Sequence, residues 1–335
     1  NYKQPSEWKY SLGADYFFDN GIKLQGDLLY SELKDSAIYV DLSQSVVGRT
    51  RTDQPIYDYT NGTDNLMLTN SPRDADSYTL SLIASKSFDF GLDAMLGYAY
   101  TEGEDISSMT SAVAGSNFGN NALLDINDPR AGSSNYAVPH RFTMRLTYRK
   151  NFIRDLQTRV SLFGFRESGQ GVSVVMDGQA LEGDGFFGRH LMYIPDGEND
   201  PNAVYISGEE EAADAAADTA AFYDWASGFS SGFIPRNSVN SRWSTRFDLR
   251  IDQELPTFID GTASRVFLKI YNLGNLLNDE WGLQTDAQFF SQEVVDAQIN
   301  NRGQYVYSNF REPRVNNYLQ GISVWQARIG IEFDF

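Results

Sequence analysis

The chain has 335 residues, no cysteine and a formal net charge of −18. The lack of cysteine excludes disulfides and thiolate metal sites, and the acidity argues against a nucleic-acid partner, because binding phosphates requires a basic face. Aromatic residues make up 14% of the chain although its mean hydropathy is negative, and no apolar run approaches the roughly 18 residues of a membrane helix. Two classes remain: a soluble all-β protein, or a membrane barrel whose strands are apolar only at alternate positions.

Nine segments are predicted as strands, and they are distributed along the whole chain. They are longer than the average globular strand of about five or six residues and match the roughly 9–11 residues of a strand that crosses a bilayer at a tilt. Strict alternation of apolar and polar residues is clearest in the fifth, seventh and ninth of them. The predicted strands are 8–18, 22–33, 77–88, 91–101, 140–150, 156–166, 242–252, 263–272 and 323–335.

The connections between these strands alternate between short and long along the whole chain. Outer-membrane barrels have short periplasmic turns and long extracellular loops, so this order predicts four loops on one side of a membrane. The four long connections hold 31 acidic and 10 basic residues, whereas the rest of the chain holds 14 acidic and 17 basic residues. The acidity therefore belongs to the predicted extracellular loops 34–76, 102–139, 167–241 and 273–322.

The longest of these loops contains a segment, 207–228, that is predicted to form a short helix. Ser207 and Glu210 match the spacing of a capping box, acidic residues crowd the first turn, where the helix dipole favours them, and Gly228 is a plausible stop.

Charged side chains alternate along the polar faces of three strands and are predicted to face the barrel interior. They are tolerated toward a lumen and costly toward lipid. Two interpretations remain open. These side chains contact a plug domain or line a transport path, or they form ion pairs with one another and only keep the inner wall of the barrel hydrated. The candidates are Arg141, Arg145, Arg149, Arg246, Asp248, Arg250, Arg328 and Glu332, with Trp325, Ile329, Ile331 and Phe333 predicted to face lipid.

No cofactor, metal site or catalytic site is predicted. The two histidines, His140 and His190, have no nucleophile at a spacing that exceeds chance, although some outer-membrane barrels are hydrolases. The acid-rich stretch 196–201 invites a calcium interpretation, but the EF-hand spacing is absent and a solvated turn is the better interpretation.

Three stretches of the chain carry recognisable motifs. The chain ends in an alternating strand with terminal Phe335, similar to the assembly signal of outer-membrane barrels. The segment 267–282 contains the motif residues Asn272, Leu273, Asn275, Asn278 and Trp281, and the segment 138–149 contains a Pro-His-Arg-Phe strand opening. Together these stretches resemble TonB-dependent outer-membrane receptors, and the Oar-like branch in particular, with 267–282 similar to the penultimate strand and following turn of that family.

The resemblance implies that residues 1–335 are the C-terminal part of a transmembrane antiparallel β-barrel, about nine strands of a larger one, with no plug domain present. It implies uptake or handling of a substrate at the bacterial outer membrane, with lipid and lipopolysaccharide as surroundings and the TonB complex as a partner through a missing N-terminal region. The alternative is a stand-alone outer-membrane barrel that acts as a porin, adhesin or surface hydrolase.

Overall fold

The computed structural model describes residues 1–60, 62, 65–177, 181, 188–209, 211–257, 259, 261–287 and 291–335. Strands make up 52% and helices 9% of the structure, which confirms the all-β class. Among the described residues, no helix is both long enough and apolar enough to span a membrane.

Nine long strands form one continuous sheet, which we call the main sheet. All nine predicted strands are present, with ends that differ from the predicted ones by a few residues. The strands are β1 (Ser6–Phe17), β2 (Lys23–Lys34), β3 (Ala75–Ser87), β4 (Leu92–Asp105), β5 (His140–Ile153), β6 (Leu156–Glu167), β7 (Ser244–Leu255), β8 (Ala263–Tyr271) and β9 (Gln326–Asp334).

Each strand of the main sheet pairs with its sequence neighbours, and every such pair is antiparallel. Because direction alternates, the four long connections all leave from the same end of the sheet, as the alternation of loop lengths predicted. Within the described residues the sheet is open, with β1 and β9 as its two edges. An antiparallel sheet is therefore established, and a closed barrel is not formed by the described residues.

The short turn between β3 and β4 depends on glycine. Gly91 has a φ of 95°, and a Cβ atom there would lie 2.3 Å from the carbonyl oxygen of Arg149 on the neighbouring strand. A side chain at this position would clash with the backbone, so only glycine allows the β3–β4 turn to close against β5.

The four long connections, 35–74, 106–139, 168–243 and 272–325, fold together, and we call them the loop cap. The first two contain Ala37–Asp41, Gln44–Arg49, Pro55–Tyr59, Leu66–Asn70, helix Ala114–Gly119 and Gly132–Ser133. The third contains Gly171–Asp177, His190–Leu191, Tyr193–Ile194, Ala203–Tyr205, helix Ala212–Ala226, Gly232–Phe233 and Val239–Asn240. The fourth contains helix Leu273–Leu277, Thr285–Asp286, Ser291–Ile299, Tyr305–Ser308, Asn317–Tyr318 and helix Gln320–Ser323.

The loop cap has a hydrophobic core of its own, which the sequence analysis did not predict. Strand Gly171–Asp177 of the third loop pairs in parallel with Ser291–Ile299 of the fourth, and Tyr305–Ser308 pairs in parallel with Ala203–Tyr205. Against this sheet packs the helix Ala212–Ala226. The most deeply buried core side chains are Val174, Met192, Ile194, Phe222, Val294, Val295, Tyr305 and Tyr307.

The predicted helix in the third loop is present, but the predicted capping box is wrong at its first residue. The helix begins after Glu211, which makes no side-chain capping bond. Ser207 lies outside the helix, and its hydroxyl donates to Asp218 at 2.7 Å. Glu210 lies outside the described residues. At the other end, the amide of Gly228 donates to the carbonyl of Trp225, close to the predicted stop.

Candidate functional site

The cross-strand register places all eight predicted interior residues on one face of the main sheet, which we call the polar face. Arg145 is opposite Phe163 and Phe163 is opposite Asp248. Arg250 is opposite Lys269, which in turn is opposite Arg328. Because the side-chain period of a strand is two, a shift by one residue would move each of them to the other face.

An ion-pair network joins β6, β7, β8 and β9 on the polar face, toward the turn end of the sheet. Arg250 donates to Asp252 at 2.6 Å and to Glu332 at 2.8 Å. Arg265 also reaches Glu332, at 3.0 Å, and Arg159 reaches Asp252 at 3.2 Å. Of the five residues, Arg250 and Glu332 are among the eight predicted interior candidates. Arg159 and Arg265 were not predicted, because they lie on strands with weaker alternation. Counting every second residue along those strands would have placed both on the polar face.

Aromatic rings on the polar face lie beneath several of its cations. The Lys269 ammonium lies 4.1 Å from the ring centre of Tyr271, and the Arg328 guanidinium lies 5.2 Å from the same ring. Arg250 lies 4.5 Å above Phe267. A Cβ at Gly330 would lie 2.6 Å from that ring, so the glycine makes room for Phe267 on an otherwise charged surface. Such cation–π contacts hold long basic side chains in place.

A polar groove of about 560 Å³ runs along this face, and Arg145, Arg149, Asp248, Arg250 and Glu332 contribute to its lining. Arg149 pairs with Asp93, and Arg246 pairs with Asp248 at 2.9 Å. Arg141 pairs with Glu167 at 2.7 Å. Within the described part of the chain, Arg145 has no carboxylate within 4.0 Å, so its charge remains available to the groove.

The opposite face of the main sheet, the apolar face, is exposed. Ile329 is 79% exposed, Ile331 is 72% and Leu12 is 72%, whereas Thr147 and Asp252 on the polar face are 7% and 3% exposed. Phe333 and Trp325, also predicted to face lipid, are half exposed on the same side. At these positions the usual arrangement of a globular protein, with apolar side chains covered and polar ones in water, is inverted.

The asparagines of segment 267–282 connect the loop end of β8 to neighbouring segments by hydrogen bonds. Asn272 adopts a φ of 53°, and its side-chain amide donates to the carbonyls of Gly282 at 2.9 Å and Ser323 at 2.6 Å. Its backbone amide donates to Asp248 at 2.9 Å. The Asn275 side-chain oxygen accepts from the amide of Trp325 at 3.2 Å. These contacts join the first and last residues of the fourth loop to each other and give the segment a structural role.

Arg236, a residue that the sequence analysis did not single out, connects the second and third loops. Its guanidinium is buried and donates to Asp105 at 2.6 Å, to Asn121 at 3.1 Å and to the carbonyl of Gly132 at 2.7 Å. It also donates to the carbonyl of Ile106 at 3.2 Å. The sequence around Arg236 gives no signal for these contacts, because each partner lies more than 100 positions away in the chain.

Near Arg236 the loop cap contains a cavity of about 650 Å³ that is lined by charged and apolar side chains. Its charges are largely paired: Arg49 lies 3.3 Å from Asp53, and Arg73 pairs with Asp128. The bond from Arg73 lowers the pKa of the Asp128 carboxyl, which stays ionised at neutral pH. Tyr57 donates to Asp125 at 2.7 Å.

The two histidines lie in different parts of the molecule. His140 begins β5 on the apolar face, with its Nδ1 3.0 Å from the Tyr98 hydroxyl. His190 is buried in the loop cap, opposite Met176. In the acid-rich turn, Asp200 accepts from the amides of Asp196 at 2.7 Å and Asn202 at 2.6 Å. In the part of the chain that the structure describes, no three His, Asp or Glu side chains converge on a possible metal position.

No protein-family model matches the chain, and no curated protein matches it.

Proposed function

We propose that the chain forms part of the wall of a β-barrel in the bacterial outer membrane, in a receptor of the TonB-dependent type that takes up a substrate. The observation that carries the proposal is the inverted main sheet, with its apolar face exposed and its charged face paired. A charged side chain that faces lipid costs folding free energy, whereas an apolar side chain on the same surface is stabilised by contact with lipid. The receptor type rests on the resemblance of segments 138–149 and 267–282 and of the last strand.

The polar face is then the wall of the interior, and the groove beside Arg145 is the part of it that meets the passing solute. On strands β5 to β9 this face carries more cationic than acidic side chains, in contrast to the acidic loop cap. The loop cap, with a core of its own, forms the outer surface that a substrate meets first. The alternative is a stand-alone barrel that acts as a porin, adhesin or surface hydrolase, and the position of the two histidines in separate parts of the molecule gives the hydrolase no support.

The lack of native cysteine allows a direct test by single-cysteine labelling. Met144→Cys and Arg145→Cys place a thiol on the apolar and the polar face at adjacent positions of β5. After integration into lipid vesicles, a membrane-impermeant maleimide should label Arg145→Cys at least about tenfold faster, because apolar surroundings suppress the reactive thiolate. Detergent at a denaturing concentration should equalise the two rates and serves as the internal control.

Equal labelling in vesicles would contradict a membrane wall, as would recovery of the protein in the water-soluble fraction after the vesicles are washed with alkaline carbonate. Uptake itself is tested by the matched pair Arg145→Gln and Arg242→Gln in cells that carry the complete receptor. The first removes a groove charge, and the second removes an exposed arginine outside the strands.

A further inference from the structure

The apolar face contains a groove, whereas a surface that only contacts bulk lipid needs no such depression. Its volume is about 680 Å³, within the roughly 300–1,000 Å³ of small-molecule sites. The groove follows one cross-strand row from Leu24 through Ala84, Leu96 and Met144 to Gly164. Ala84 leaves the row without a large side chain, which creates a depression between larger neighbours, and the Phe247 ring lies over Gly164 and closes the far end of the row.

One cation, Arg166, stands at the loop end of this groove. The side chain is exposed, and its guanidinium lies 5.3 Å from the ring centre of Trp243. Three other cations share the apolar face within the described strands. Lys86 and Lys150 lie at the turn end of the sheet, and Lys34 pairs with Glu32 and Asp74. Arg166 has no carboxylate within 4.0 Å among the described residues.

Aromatic side chains surround Arg166 at this level of the sheet. His140 stacks on Trp243 with ring centres 5.9 Å apart, and Phe142 lies directly opposite Arg166 in the register. Trp243 and Phe142 are both nearly half exposed. Rings with a polar edge are enriched at the boundary between hydrocarbon and headgroups, so this cluster marks the height at which a lipid headgroup would lie.

We infer that this groove binds a lipid that has acyl chains and a phosphate headgroup with a net negative charge. The apolar row takes an acyl chain, and the Arg166 guanidinium, held against Trp243, donates hydrogen bonds to the phosphate. Charge complementarity selects an anionic headgroup, since Arg166 is the one charged side chain among the described residues that line the groove. The inference rests on the proposed membrane function, because only a lipid-facing surface meets such a ligand.

The test measures quenching of tryptophan fluorescence by lipids with brominated acyl chains in detergent micelles. Phosphatidic acid and phosphatidylcholine with the same chains are compared, and the Trp243 contribution is obtained by difference from Trp243→Phe. We expect phosphatidic acid to quench Trp243 at about tenfold lower concentration than phosphatidylcholine, the size expected for a charge-assisted hydrogen bond. Arg166→Gln should abolish this preference, whereas Lys150→Gln, a cation at the opposite end of the same face, should retain it.

A second variant tests the acyl groove independently of the headgroup. Ala84→Phe fills the depression and should weaken quenching by both lipids, and inorganic phosphate should not displace phosphatidic acid. Retention of the preference by Arg166→Gln, or competition by inorganic phosphate alone, would overturn the inference. If both lipids quench Trp243 equally in the wild-type protein, the headgroup site fails while the membrane function stands. If neither lipid quenches Trp8, Trp243 or Trp325, the membrane function itself fails.

Discussion

Ile329 and Arg328 are adjacent in β9, and their side chains lie on opposite faces of the main sheet. Ile329→Arg places a charge on the apolar face near the middle of the strand and should cost about 2–4 kcal/mol of folding free energy in a bilayer. Arg328→Gln removes a cation that contacts Tyr271 on the polar face and should have a mild effect. Urea titration of both variants after refolding into vesicles measures the two costs, and equal costs would contradict the assignment of the faces.

At the scale of single residues, strand parity was sufficient to place the eight predicted charges on one face. Strand parity was insufficient to identify the ion-pair partners of these charges. A partner depends on the register between neighbouring strands, and a single sequence does not reveal that register. Glu332, for example, accepts from Arg250, 82 positions away, and also from Arg265. The same limit applies to Asn272, whose side chain reaches Ser323 across the whole fourth loop.

Arg236 governs how two of the cap loops attach to each other. Arg236→Met removes a buried cation together with its hydrogen bonds to the side chains of Asp105 and Asn121 and to four backbone carbonyls. Breaking a buried charge pair in this way costs about 3–5 kcal/mol. We expect limited proteolysis to cleave the variant within 106–139 while the main sheet stays protected.

The control for this variant is Arg242→Met, an exposed arginine in the same loop, which should leave the cleavage pattern unchanged. Cleavage of both variants at the same rate would show that Arg236 does not hold the loops together.

At the scale of elements, the nine strands were predictable because alternation and length act within each strand. The helix Ala212–Ala226 was predictable from its composition, but its first residue was not. The Ser207 hydroxyl donates to Asp218 instead of capping the helix, so a tertiary contact overrides the local capping preference. The short strands of the loop cap were not predicted, because segments of two to nine residues depend on partners in other loops.

Five buried tyrosines make the stability of the loop cap dependent on alkaline pH. Burial raises the pKa of Tyr57, Tyr193, Tyr205, Tyr305 and Tyr307 above the ordinary value of 10.0. The unfolded tyrosines ionise at lower pH than the folded ones. The folded cap therefore keeps its full stability below about pH 10 and loses it as the pH rises further.

Alkaline titration followed by tyrosinate absorbance should show a cooperative transition of the cap above about pH 10. Tyr205→Phe keeps the ring that stacks on Phe222 but removes one ionisable group, and should make the transition less steep. Tyr318→Phe, at an exposed position, is the control. Gradual ionisation of all tyrosines without loss of structure would contradict the prediction.

At the scale of the whole molecule, the sequence predicted an all-β chain with four acidic loops at one end of its strands. It did not predict that these loops share a core, since the core is assembled from residues of separate loops that show no common periodicity. Val174, Phe222 and Tyr305 meet in one cluster although each lies in its own short segment.

The distances in sequence between contacting residues differ sharply between the two parts of the molecule. Each strand of the main sheet pairs with the strand before it, so the sheet can grow one hairpin at a time. In the loop cap, the Tyr305 hydroxyl donates to Gln54 at 2.6 Å across 251 positions of the chain. Contacts of such separation form slowly, because a long loop must close first. We therefore expect the loop cap to complete its folding last, after the fourth loop has joined the first.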